Sequence, residues 1–183
     1  MKITRELFDI VIPEEFRVPP RRPFCYGYTT IKTDKFVARA NSIIDEDRLP
    51  FVAEKLNELL ERNGVTRGHV ANMTSKYMNL AIFYRLLCAK NLKDSVKGQT
   101  DSAKEKSAVD TEAYPTREHI YLIAVCAGFT WNETEELLDA AGLTYVYCKV
   151  DAIYKYVIEK GEPIENALYY FHYFGLGKPS MAV

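Results

Sequence analysis

The sequence predicts a mainly α-helical protein, and two observations carry that reading. Apolar residues recur at three- and four-residue spacings through most of the chain after Leu49, and polar caps and glycines bracket those runs. The clearest case is 115–142. Thr116 is placed to cap a helix, because its hydroxyl can accept a first-turn N–H. Ile120, Ile123, Ala124 and Ala127 then fall on one helical face, and Gly128 can end the helix in the left-handed conformation. Thr130 with Glu133 three residues on forms a capping box. Trp131, Leu137, Leu138 and Ala141 line the inner side of the helix it starts, and Gly142 stops it. Two short helices with one shared apolar side need further helices to pack against, and the preceding residues supply three.

The 183 residues are 48% hydrophobic, enough for a sizeable core. A net charge of −1 excludes a uniformly basic coat, but the charge is unevenly distributed. Residues 49–93 hold 7 Lys/Arg against 3 Asp/Glu, whereas 116–143 hold 1 against 5. A locally positive segment on a near-neutral chain fits contact with phosphate, and equally a solvated face. Cys25, Cys88, Cys126 and Cys148 are widely spaced and form no CxxC pair, so neither zinc nor redox chemistry is indicated. Cys88 and Cys126 lie in apolar runs and are expected as buried thiols. This cysteine usage points to the cytoplasm. The acids within the first residues do not fit a signal peptide, and no apolar run is long enough for a membrane helix.

Taken in order, residues 1–12 read as a short strand built on Leu7, Ile10, Val11 and Ile12. Pro13, Pro19, Pro20 and Pro23 then keep the chain extended, with Arg17, Arg21 and Arg22 among them. These arginines are candidate arm contacts to a nucleic-acid backbone or groove; the alternative is a solvated arm. Alternation from Phe24 to Ala40 about a turn near Thr33-Asp34 predicts a small β-hairpin. Leu49, Val52, Ala53, Leu56, Leu59 and Leu60 form a helical stripe that ends at Asn63-Gly64. Thr66 caps a short second helix. A third is expected from Thr74-Ser75 to about Lys90, polar at its start and apolar nearly all round in the run LAIFYRLLCA. Residues 93–114 are rich in Ser, Lys, Asp and Thr and read as a flexible insertion. Beyond Leu143, Asp151 is expected to cap a helix carrying Ile153, Tyr156 and Val157 and ended by Gly161. Pro163 opens a last helix with Ile164, Leu168, Phe171 and Phe174. The endings Ala141-Gly142-Leu143 and Phe174-Gly175-Leu176 suggest a repeated helical unit.

Over Leu49 to Leu143 the sequence resembles the lambda-repressor/Cro, or Xre-like, helix-turn-helix family. The resemblance rests on LPFVAEKLNELLERNGVTRGHVAN, and on PTREHIYLIAVCAGFTWNETEELLDAAGL with its capping box and Leu-Leu-x-x-Ala-Gly ending. It implies a helix-turn-helix bundle (49–143, interrupted by 93–114), preceded by the arm and hairpin (1–48) and followed by a helical extension (144–183). It also implies double-stranded DNA as partner, with Thr74, Ser75, Lys76 and Asn79 reading bases or phosphates from the third helix and Arg67 touching phosphate. Related repressors dimerise, and Phe171 and Phe174 are candidate self-association contacts in a homodimer.

Catalytic signatures are missing. His69, His119 and His172 are scattered without metal-ligand spacing, and Gly175-Leu176-Gly177-Lys178 lacks the full phosphate-loop pattern. No enzyme, cofactor or metal is therefore expected. The sequence reading is a DNA-binding regulator. The alternative is a protein-interaction module on the same scaffold, such as a phage-encoded inhibitor of a host nucleic-acid enzyme of the anti-CRISPR type.

Overall fold

The computed structural model describes residues 3–11, 43–88, 114–146 and 148–176. Eight α-helices form there: α1 (Arg5–Val11), α2 (Leu49–Arg62), α3 (Arg67–Thr74), α4 (Leu80–Cys88), α5 (Arg117–Ala127), α6 (Trp131–Ala140), α7 (Lys149–Lys160) and α8 (Ile164–Tyr173). A 3₁₀ turn, Glu46–Arg48, leads into α2. The described residues are thus mainly α. Their only extended pairing is an antiparallel bridge between Ile43 and Thr116, where Ile44 N–H donates to the Pro115 carbonyl at 2.9 Å. The hairpin expected over 24–40, Arg17, Arg21 and Arg22, and residues 93–113 lie outside the described residues.

The expected strand at residues 1–12 is instead the helix α1. Thr4 Oγ1 accepts the Leu7 N–H at 3.2 Å, and Leu7 and Val11, four apart, are both buried. That spacing lets one helical side pack against α7, where Thr4 Oγ1 also lies 2.8 Å from the Tyr156 hydroxyl. Helical burial of two residues outweighs the β preference of the Ile-Val-Ile run. The α2 stripe is buried at all six positions expected. It packs across α4 and α6. Asn63 closes α2, and its Nδ2 donates to Glu133 Oε1 at 2.8 Å, which ties this end to the start of α6. There the capping box is complete: Thr130 N–H donates to Glu133 Oε2 at 2.8 Å, and Glu133 N–H returns to Thr130 Oγ1 at 3.3 Å.

At the start of α5 the third residue is His119, whose Nδ1 accepts the Thr116 N–H at 3.0 Å. Burial holds this imidazole's pKa down at about 4, so it stays a neutral acceptor. Both α5 and α7 end at a glycine with positive φ, Gly128 at 71° and Gly161 at 62°. The following N–H bonds five residues back in each case, Phe129 to Ala124 and Glu162 to Val157, both at 2.9 Å. Leu143 to Leu138 and Leu176 to Phe171 close α6 and α8 with the same bond length. The pairs α5–α6 and α7–α8 are therefore terminated alike, as the echo of Ala-Gly-Leu and Phe-Gly-Leu suggests.

Helix α5 is central: it packs against α3, α6, α7 and α8. One apolar core runs from Leu7 through Phe83, Ile120 and Tyr154 to Phe171. Inside it lies an ion pair. Arg117 Nε is 3.1 Å from Asp151 Oδ2, and the two side chains are 3% and 2% exposed. Asp151 was expected to cap α7, but it occupies the third position of that helix, and Cys148 holds the cap position. Its Oδ2 accepts from Val146 N–H at 2.9 Å and from the Tyr121 hydroxyl at 3.0 Å. Burial raises the pKa of this carboxyl, while Arg117 and the donated hydrogen bonds oppose the rise. Of the thiols expected to be buried, Cys88 is exposed at the end of α4, and Cys126 is half-buried with its pKa pushed up to about 12 by burial. Helical periodicity put Cys88 on the outer side of an otherwise apolar run.

Arg117→Leu leaves Asp151 buried without its counter-charge, and stability should fall by about 3–5 kcal/mol. Urea denaturation should show a smaller loss in the Arg117→Leu, Asp151→Leu double variant than in the worse single one. A loss below about 1 kcal/mol in the single variant would contradict the role given to this pair.

Candidate nucleic-acid interface

Helix α3 begins where Thr66 Oγ1 accepts the His69 N–H at 3.2 Å. Val70, Ala71 and Thr74 form its buried side against α5. The opposite side exposes His69, Asn72 and Met73, whereas Arg67, in line with the buried stripe, is exposed because it lies in the first turn. The chain does not start a new helix at Thr74, as expected, but finishes α3 there and turns through 75–79 before α4 begins at Leu80. Thr and Ser before a run of helix formers resemble a cap in sequence. Here both hydroxyls point backwards: Thr74 donates to the Val70 carbonyl and Ser75 to the Asn72 carbonyl, each at 2.8 Å.

This boundary rearranges the expected contact residues. Thr74 is 0% exposed, so it is a core residue of α3 and not a base reader. Ser75 and Lys76 are exposed in the turn. Asn79 is also exposed, yet its Oδ1 accepts the Ala81 N–H at 2.8 Å and so caps α4. Arg67 is exposed in the first turn of α3. Arg67, Ser75, Lys76 and Asn79 thus lie on or beside one exposed stretch, from which Thr74 is removed. The stretch is pinned from below. The Tyr77 hydroxyl donates to Glu165 of α8 at 2.5 Å, and burial, reinforced by that carboxylate, pushes the Tyr77 pKa up to about 12.

Two features were missed from sequence. His69 and Asn72 share the exposed side of α3, a consequence of helical spacing once Val70, Ala71 and Thr74 face inward, and Arg67 reaches solvent at the first turn of the same helix. Moreover, residues 62–93 contain no Asp or Glu, although the chain carries 25 acids. Arg67 and Lys76 form no ion pair among the described residues. Of the other cations, Arg62 is held by Glu58 and Glu136, at 2.6 and 3.2 Å. Arg85 is buried at 7% exposure, bonded to Glu46 Oε1 at 2.8 Å and lying 5.5 Å from the Tyr114 ring centroid. The outer side of α4 is apolar: Leu80, Ala81, Tyr84 and Cys88.

The aromatic contacts expected for self-association are placed differently. Phe171 is 2% exposed and sits edge-on to Tyr154 at 5.1 Å, in the core. Its spacing from Ile164 and Ala167 turns it inward with them. Phe174 is half-buried, 6.2 Å from Phe8. Among the described residues no helix is long and apolar enough to cross a membrane.

No protein-family model matches the chain, and neither curated proteins nor solved structures yield a match.

Because Asn79 caps α4, Asn79→Ala should lower stability by about 1 kcal/mol in urea denaturation, while Asn79→Asp should keep it near the starting value. Equal stability of the alanine variant and the unmodified protein would show that Asn79 is not a structural cap.

Proposed function

We propose that this chain is a DNA-binding protein of helix-turn-helix type, a transcriptional regulator that contacts duplex DNA through the exposed side of α3 and the turn at 75–79. The observation that carries the reading is the acid-free stretch that exposes Arg67 and Lys76 together with Asn72 and Ser75. Arg67 and Lys76 form no ion pair among the described residues, although Glu165 lies within electrostatic reach of Lys76. Such cations can neutralise phosphates, and Asn and Ser can hydrogen-bond to base edges. The resemblance of 49–143 to the lambda-repressor/Cro family supports the same reading. In that family the third helix enters the groove. Here the outer side of α4 presents Leu80, Ala81 and Tyr84, with no charged or amide side chain, so the reading element shifts to α3 and the turn.

A second reading has its own observation. Leu80 and Tyr84, 38% and 50% exposed, lie four residues apart on one side of α4. An apolar helix side of this kind suits a protein partner, in line with an interaction module such as an inhibitor of a host nucleic-acid enzyme.

Titration against duplex DNA of random sequence separates the two. Arg67 and Lys76 as two phosphate contacts give a binding constant that falls about tenfold between about 50 and 200 mM salt. Arg67→Ala and Lys76→Ala should each weaken binding and reduce the salt slope by about 0.9. Asn72→Ala should relax the sequence preference found by selection, and Tyr84→Ser should leave DNA binding unchanged. Absence of binding at low salt would overturn the DNA reading in favour of the α4 surface.

A further inference from the structure

A groove of about 690 Å³ lies on another part of the molecule, between α1, α6 and α7 and the connector at 143–146. Its apolar lining comes from Ile10, Leu138, Tyr145 and Tyr156. Ile10 is 43% exposed there, left outside the core by the spacing that buries Leu7 and Val11. Glu135, Asp139 and Glu159 also line it. Among the described residues Glu135 and Asp139 have no ion-pair partner, and Glu159 pairs with Lys155 at 3.8 Å, with Lys160 also within electrostatic reach. The groove therefore carries more negative than positive charge.

The groove already holds one ammonium group of its own. Lys155 Nζ lies 4.9 Å from the Trp131 ring centroid and 5.3 Å from that of Tyr145, and the two rings stand at 90° to one another. Perpendicular aromatic faces beside carboxylates are the chemistry that attracts organic cations. Asp139 also borders a second depression, lined by Glu54, Glu58 and Glu136 together with Arg48 and Lys55, in which Glu58 and Glu136 are ion-paired.

We propose that this groove is a docking site for a basic, apolar-anchored segment of a partner protein. An apolar side chain of that segment fits between Ile10 and Tyr156, and flanking Lys or Arg side chains meet Glu135 and Asp139. Charge complementarity selects this occupant, because the same carboxylates repel acidic peptides and nucleic acid. The site is separate from the α3 surface, so a DNA-bound chain keeps the groove open to its partner.

The chain's single tryptophan, Trp131, abuts the groove and supplies the readout. The full chain is titrated with a short peptide of alternating Lys and Leu while Trp131 emission is followed. Saturable binding is expected, weakened about tenfold by the Glu135→Gln, Asp139→Asn double variant and unchanged by Lys76→Ala. A thermal melt matching the unmodified protein shows that the double variant is folded. Duplex DNA should not compete, so the groove and the DNA surface fail or succeed independently. No saturable binding at low salt, equal affinity of the double variant, or equal binding of a Glu-Leu peptide would overturn the proposal. So would a concentration-dependent increase in mass of the chain alone that the double variant abolishes, since the occupant would then be a second copy.

Discussion

The contact between Arg117 and Asp151 fixes the geometry on which the rest of the molecule depends. A buried guanidinium and carboxylate are poor sources of net stability, but they tolerate few alternative arrangements. Asp151 also gathers the Tyr121 hydroxyl and the Val146 N–H, so one side chain holds α5, α7 and the connector between the two helical pairs. Tyr121 in turn stacks on Tyr154 at 5.0 Å. Helix α5, so placed, is the surface on which α3 rests. Because α3 buries only Val70, Ala71 and Thr74, the direction in which His69 and Asn72 face is set by α5.

Much of this architecture can be read in the sequence because it is local. Caps at Thr66 and Thr130, the α2 stripe and the glycine endings depend on residues within one or two helical turns. The failures have equally specific causes. Residues 1–12 resemble a strand because β-branched residues adjoin there, and only packing against α7 decides for a helix. Thr74 and Ser75 resemble a cap, yet their hydroxyls bond to the preceding turn, and Asn79 fills the role a few residues later. Asp151 looks like a cap from its neighbours, but its partner Arg117 is far away along the chain. Phe171 looks like one aromatic too many for a single helix side until Tyr154 is placed beside it.

The candidate interface was legible in part for the same reason. Its position followed from the capping signal at Thr66 and the family resemblance, whereas its orientation required knowing which side of α3 meets α5. Charge separates the two surfaces. The α3–α4 segment lacks acids altogether, while Glu58 and Glu136 on α2 and α6 bind Arg62 and Lys55 in a network on another surface. Those pairs are exposed and contribute little to stability. Their consequence is that Lys55 and Arg62 are neutralised by carboxylates, whereas Arg67 and Lys76 form no ion pair among the described residues.

Helix α3 and the 75–79 turn are the surface proposed to meet DNA. Amide shift mapping of the isotopically labelled full chain, titrated with duplex DNA, tests this most directly. The largest shifts should fall in 66–79, with the amides of 135–159 unmoved. Shifts centred on the outer side of α4, or on the acidic groove, would contradict it.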